Sequence, residues 1–243
     1  MDEDMFQRKH KHSLQDFWVE QNVNPPLDHP TSRFPFVTIS RQAGAGAYTL
    51  ALAVLEEMKQ RGGPLFQGWH IFNHELCERI VEDAQLRVSL GNLITEKYRS
   101  EIEDMVCQLV SGESPQMRVV KKIFHCIKTV AAVGKAIIIG RGGVCLTRGL
   151  ERGVHLRLVA PEAVRIENRM KYLGISADEA KKRIRQEDHD RAKLIKTFFQ
   201  RDPADPLLYD MVWNTGTVPA EAIAKAVVDR IEFVRARTKG LPA

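Results

Sequence analysis

One stretch constrains this chain more than any other: an apolar strand runs into a glycine-bearing turn, and the turn runs into an amphipathic helix. Residues 36–50 read Phe-Val-Thr-Ile-Ser-Arg-Gln-Ala-Gly-Ala-Gly-Ala-Tyr-Thr-Leu. Apolar residues dominate from Phe36 to Ile39, and Leu50, Leu52, Val54, Leu55 and Met58 recur at helical spacing. Such a turn presents backbone N–H groups and a helix N-terminus, which together suit a phosphate. The usual phosphate-loop pattern is G-x-x-x-x-G-K-[ST]. Here Arg41 stands at the first glycine, Gly46 at the second, and Ala47 where the lysine belongs. The loop geometry is kept and its ammonium is gone. Taken alone, the turn fits a phosphate site and a purely structural βα connection equally well.

The rest of the chain alternates strand and helix signals. Residues 34–40 form the first strand and 48–61 the first helix, stopped by Gly62-Gly63-Pro64. His70-Ile71-Phe72 is a short second strand. Residues 74–84 and then 86–110 carry helical patterns with few breakers, and 116–133 form another helix after Ser111-Gly112-Glu113-Ser114-Pro115. Ala136-Ile137-Ile138-Ile139 is a continuous apolar run, the mark of a strand covered on both faces. His155 to Val159 is the next strand, and a helix starts near Glu162. Ser176-Ala177-Asp178-Glu179 is a capping box opening a charged helix that runs to about Phe199. Tyr209 to Asn214 is a last strand, and a final helix runs from Val218-Pro219 to about Arg237. Alternation of this kind predicts an α/β fold on a parallel sheet.

Composition narrows the class. The 243 residues are 44% hydrophobic, enough for one sizeable core with a small inserted subdomain. The formal charge of +5 favours anionic partners, and fits a generic solvated surface as well. Cys77, Cys107, Cys126 and Cys145 lie far apart without a C-x-x-C, so they read as free thiols of a reducing cytosol. No apolar stretch approaches the ~18 residues of a membrane span, and Met-Asp-Glu-Asp-Met lacks the order of a signal peptide. The chain reads as cytoplasmic, with no membrane partner. Residues 1–33 read as a flexible arm in which Asp16-Phe17-Trp18-Val19 forms a short helix, and residues 238–243 as a tail.

Three groups of residues carry chemistry. Gly44 and Gly46 permit a tight turn, and Thr49 puts a hydroxyl near a phosphate or a metal-bound water. Gly140-Arg141-Gly142-Gly143 follows the buried strand 136–139, so Arg141 projects beyond a strand's carboxyl end, where open parallel sheets bind ligands. An arginine between glycines has no core role, and its planar fork suits phosphate or carboxylate. Arg165 and Arg169 share a helix face, and Asp188 and Arg191 follow on the next charged helix. They fit either a basic lid over phosphates or a solvated face.

Three segments in this order resemble the cytidylate kinases, and more closely the divergent bacterial group called cytidylate kinase-like. They are residues 37–46, Ile137-Ile-Ile-Gly-Arg-Gly-Gly143, and His155-Leu-Arg-Leu-Val-Ala-Pro161 with Arg165 and Arg169. Asp188 with Arg191 and the tail Tyr209-Asp-Met-Val-Trp-Asn-Thr215 agree, so the resemblance spans about residues 34–235. It implies a P-loop NTPase-like three-layer α/β/α fold with about five parallel strands, a nucleoside-monophosphate-binding insert at about 72–130 and a short lid at about 165–191, all within one domain of residues 34–237. It implies transfer of the γ-phosphoryl group of ATP, with Mg2+, to CMP or dCMP. Arg41, Gly44, Ala45, Gly46, Ala47, Tyr48 and Thr49 would hold the donor phosphates. Arg41, Arg141, Arg165 and Arg169 would act on the transferred group. Arg79, Arg141, Asp188 and Arg191 would hold the acceptor nucleotide.

Where the chain departs from true cytidylate kinases, charge is lost. Ala47 replaces the loop lysine, Ile139 and Asn73 replace aspartates, and Tyr48 stands where a glycine is usual. Arg41 is then a candidate replacement cation. The rival readings are a catalytically impaired nucleotide sensor or scaffold on the same fold, and a nucleic-acid binder. The second has no basic cluster interleaved with aromatics behind it, so nucleotides rather than nucleic acid are the expected partners. The long apolar helices of residues 86–133 fit a homodimer face or packing on the core.

Overall fold

The computed structural model describes residues 26, 27 and 32–238. The readings of the arm and of a helix at Asp16 to Val19 therefore lie almost wholly outside the described residues, as does the C-terminal tail. Five strands form one parallel sheet: β1 (Phe36–Arg41), β2 (His70–Phe72), β3 (Ala136–Ile139), β4 (Gly153–Val159) and β5 (Met211–Asn214). Their order is β2-β3-β1-β4-β5, with β1 central. The chain is thus an α/β protein with helices on both faces of a parallel sheet.

Alternation of side chains on β1 divides the core. Val37 and Ile39 face a layer with α1 (Ala47–Arg61) and α9 (Ala220–Thr238), where Leu50, Val54, Val227 and Ile231 are buried. Phe36 faces the opposite layer, built on Phe124, Ile127 and Val130 of α5 (Pro115–Val133). β3 reads as an unbroken apolar run because Ile137 and Ile139 serve the first layer and Ala136 and Ile138 the second.

Between β2 and α5 lie α2 (His74–Glu82), α3 (Ala84–Gly91) and α4 (Glu96–Leu109). The helical pattern over residues 86–110 predicted one continuous element, and the structure breaks it at residues 92–95. The cause is backbone pairing with a distant residue: Leu27 N–H donates to the Leu93 carbonyl at 3.0 Å, and Thr95 N–H to the Leu27 carbonyl at 2.6 Å. Thr95 then caps α4 through the Tyr98 N–H. Asn73 caps α2 by accepting from Leu76 N–H at 2.9 Å, which gives this residue a local structural job.

After β3 comes the short α6 (Gly143–Thr147), which sequence periodicity does not reveal. Beyond β4, the lid region of about residues 165–191 lies within a helical hairpin of α7 (Glu162–Leu173) and α8 (Ala177–Phe199). Only half of the predicted capping box forms. Ser176 Oγ accepts from Glu179 N–H, while the Glu179 carboxylate pairs with Arg183 at 2.8 Å instead of reaching back. Among the described residues no helix is long and apolar enough to cross a membrane.

Candidate functional site: an arginine cluster at the β1–α1 loop

Strand register builds the site. Val37 lies beside Ile137, Thr38 beside Ile138 and Ile39 beside Ile139. Two residues further on, each strand delivers an arginine, Arg41 and Arg141, at the same carboxyl edge of the sheet. Between β1 and α1 the chain turns through Gly44 (φ 79°) and Gly46 (φ 76°). Gly46 is the N-cap of α1 and offers no side-chain cap, so the helix's first amides are left for another acceptor. Neighbouring strands anchor the loop. Gln42 Oε1 accepts from Ala160 N–H at 3.0 Å, and the Thr215 hydroxyl donates to the Ala45 carbonyl at 3.1 Å.

The α7–α8 hairpin closes directly on this loop. A Cβ on Gly44 would meet the Arg165 carbonyl at 2.5 Å, so only glycine admits that helix. Asn168 donates to the Gly44 carbonyl at 2.9 Å. Asp188 spends one carboxylate oxygen on Ala43 N–H (2.6 Å) and the other on Arg165 Nη1 (2.6 Å). Glu187 bridges Arg169 at 2.5 Å and Arg191 at 2.7 Å.

Arg41 and Arg141 remain outside this pairing. Neither has a carboxylate at ion-pair distance among the described residues. The Arg41 guanidinium lies against Gly140, where a Cβ would come within 1.8 Å of Nη1. Burial, then the Arg191 and Arg141 cations, with Arg169 adding and Glu187 opposing, push its pKa down to about 9. Guanidinium does not deprotonate in proteins. The push therefore reflects a cation held partly out of water among other cations, a setting that a bound anion would relieve. Burial also lowers the Arg141 pKa, against Glu78 and Glu75, which places this side chain beside the start of α2. Arg141 holds a positive φ of 54°, a region that costs a non-glycine residue about 1–3 kcal/mol. The Nε atoms of Arg165 and Arg169 are buried without a hydrogen-bond partner. Five guanidinium groups thus converge near the loop, with Glu187 and Asp188 among Arg165, Arg169 and Arg191, and Glu75 and Glu78 on the side of Arg141.

Of the residues singled out in the sequence, Arg41, Arg141, Arg165, Arg169, Asp188 and Arg191 come together around Ala43 to Gly46. Arg79 does not join them; it is exposed on α2. Ala47 is buried in the core at 7% exposure and supplies no polar atom. Tyr48 is half-buried, its hydroxyl pKa raised by burial and by Tyr172 and Glu75, which sets the hairpin tip across from α2. Thr49 is exposed in the first turn of α1. Sequence reasoning missed Asn168, Glu187 and Thr215. Asn168 and Glu187 adjoin Arg169 and Asp188, and helical spacing from Arg165 was the one signal for Asn168.

A glycine-bearing loop at the carboxyl edge of a parallel sheet, ringed by guanidinium groups, defines an α/β protein with a candidate anion site. The chain belongs to the cytidylate kinase-like family, whose sequence model matches residues 36–217. It is 36% identical over 75 residues to the cytidylate kinase of Methanopyrus kandleri, covering 30% of this chain and 39% of that protein. A 93-residue stretch is 29% identical to a uronate isomerase of Corynebacterium glutamicum, covering 38% of this chain and 18% of that protein. The chain therefore spans well under half the length of the curated relatives it matches. A crystal structure of an uncharacterized protein from Eubacterium ventriosum superposes with a TM-score of 0.60 at 13% identity, covering 82% of this chain and 98% of that one. That likeness shows the fold.

Proposed function

We propose that this protein binds a nucleoside triphosphate on the loop from Arg41 to Thr49 and transfers its γ-phosphoryl group to CMP, dCMP or a related acceptor. The observation behind this is the convergence of five half-buried guanidinium groups at the loop mouth, with Arg41 and Arg141 outside any ion pair among the described residues. A convergence of this kind is costly without an anion, and the αL glycines and uncapped α1 amides suit a polyphosphate. ATP fits these residues. Arg41 takes the place of the missing loop lysine, reaching the phosphates from the β1 end. The Thr49 hydroxyl would hold Mg2+, whose chemistry there would be to neutralise phosphate charge.

Transfer of this kind depends mostly on positioning and charge stabilisation. Arg141, beside the start of α2, orients the acceptor phosphate. Arg165, Arg169 and Arg191 stabilise charge developing on the transferred group. The acceptor phosphate is already anionic, so no strong general base is required. For Asp188 to read a cytosine it must first leave Ala43 and Arg165, which ties acceptor binding to movement of the hairpin.

The deciding experiment supplies purified protein with ATP, magnesium and a panel of nucleoside monophosphates. ADP formation dependent on CMP or dCMP supports the proposal; no ADP with any acceptor refutes transfer. The burial of Ala47 and the hold of Asp188 on the loop favour a second reading, a nucleotide sensor without turnover. It would show as thermal stabilisation by ATP with no ADP formed.

A further inference from the structure

A cavity of about 300 Å3 lies among the helices between β2 and β3. That is at the low end for small-molecule pockets, roughly 300–1,000 Å3. Its floor is apolar and buried: Ile80 and Val81 of α2, Leu90 of α3, Val106 of α4 and Cys126 of α5. These floor residues are 7% exposed or less, so the apolar surface that the cavity offers comes mainly from Val81, Cys107 and the aliphatic stems of Arg87 and Lys121.

The rim is basic. Arg87, Lys121 and Lys122 border it against one acid, Glu103. Arg87 is partly engaged by the Val81 carbonyl at 2.6 Å, and Lys121 by Glu113 at 3.0 Å. Lys122 is exposed and forms no ion pair among the described residues. His125 also lines the cavity, and its Nε2 is buried with no hydrogen-bond partner. Buried polar atoms nearly always have a partner, so this one points to a missing group. Burial pushes the His125 pKa down, with Glu103 opposing and Arg99 adding.

We propose that this cavity binds a small monocarboxylate with an apolar body. The body lies on Val81, Cys107 and the stems of Arg87 and Lys121 above the buried floor, and the carboxylate meets Lys122 at the rim and the Nε2–H of His125. The site is separate from the arginine cluster, so it stands or falls independently of the kinase reading. Its contact with the cluster runs through α2, which carries Ile80 and Val81 at one end and Glu75 and Glu78, beside Arg141, at the other.

The probes are octanoate and octan-1-ol, titrated calorimetrically into the full chain. Octanoate binds, and octanol binds about tenfold or more weakly for want of the charged hydrogen bonds. Lys122→Glu lies on the surface and leaves the fold intact; it weakens octanoate about tenfold and octanol little. Val106→Phe fills the cavity and abolishes both, with circular dichroism reporting whether the helices survive. If Val106→Phe unfolds the protein, the Lys122→Glu comparison decides by itself. Failure of octanoate to bind, equal affinity for the alcohol, or wild-type octanoate affinity in Lys122→Glu overturns the proposal.

Discussion

Replacing Arg41 with methionine should move stability and nucleotide affinity in opposite directions. In the free protein Arg41 is desolvated, faces Arg191, Arg141 and Arg169, and forms no ion pair among the described residues, so its removal strands no carboxylate. Exchanging a buried charge for a well-packed apolar side chain is commonly neutral or stabilising by about 1–4 kcal/mol. At this size each 1 kcal/mol is worth about 2–4 °C in Tm, so the free variant should melt higher. With nucleotide the sign reverses. A hydrogen bond to a charged group contributes about 1.5–3 kcal/mol, which is roughly ten- to a hundredfold in Kd. Differential scanning calorimetry with and without ATP, joined to titration calorimetry, measures both terms. A lower Tm in the free variant together with wild-type ATP affinity would show that Arg41 is a structural residue and would refute its role as the replacement cation.

Three further outcomes test the surroundings. Gly140→Ala puts a methyl group in the space of Arg41 Nη1 at a φ of 80°, so it should cost about 1–2 kcal/mol of stability. It should also weaken ATP about as much as Arg41→Met, and the double variant should bind no worse than either single one. Asp188→Asn keeps an acceptor for Ala43 N–H and frees charge on Arg165; ATP affinity should rise roughly fivefold, from the ~1 kcal/mol that a carboxylate about 4 Å away costs an anion at a water-like dielectric of about 80. Titration calorimetry checks it, and unchanged affinity would count against the carboxylate as the loop's competing anion. His155 is buried beside Thr38 Oγ1 at 2.8 Å, and its pKa is pushed down to about 4, mainly by burial. The unfolded chain then takes up the proton first as pH falls below ~6.5, so stability drops between about pH 6.5 and 4 by up to about 3 kcal/mol. Urea unfolding of His155→Gln should show a shallower loss over that window.

The strand–turn–helix of residues 36–61, the apolar β3 and the alternation of elements could be read directly, because each is a local pattern of a few turns or a few residues. The break at residues 92–95 could not, since it depends on Leu27 pairing with the backbone there from far along the chain. The lid shows the same division. Helical spacing put Arg165 with Arg169 and Asp188 with Arg191, but nothing local says that α7 and α8 pair with each other or press on Gly44. Arg79 is the opposite case, a residue carried over from the family resemblance that the fold leaves exposed on α2.

Local sequence determined which segments become strands and helices, and that a phosphate-shaped turn here lacks its lysine, because periodicity and turn chemistry act over neighbouring residues. Tertiary structure decided which charges meet. Parallel register sets Arg41 beside Arg141, and the α7–α8 hairpin brings Arg165, Arg169, Glu187, Asp188 and Arg191 onto the loop. The physical reason is that electrostatic energy depends on distance and desolvation between residues far apart in the chain, and those are fixed only once the sheet and hairpin have packed.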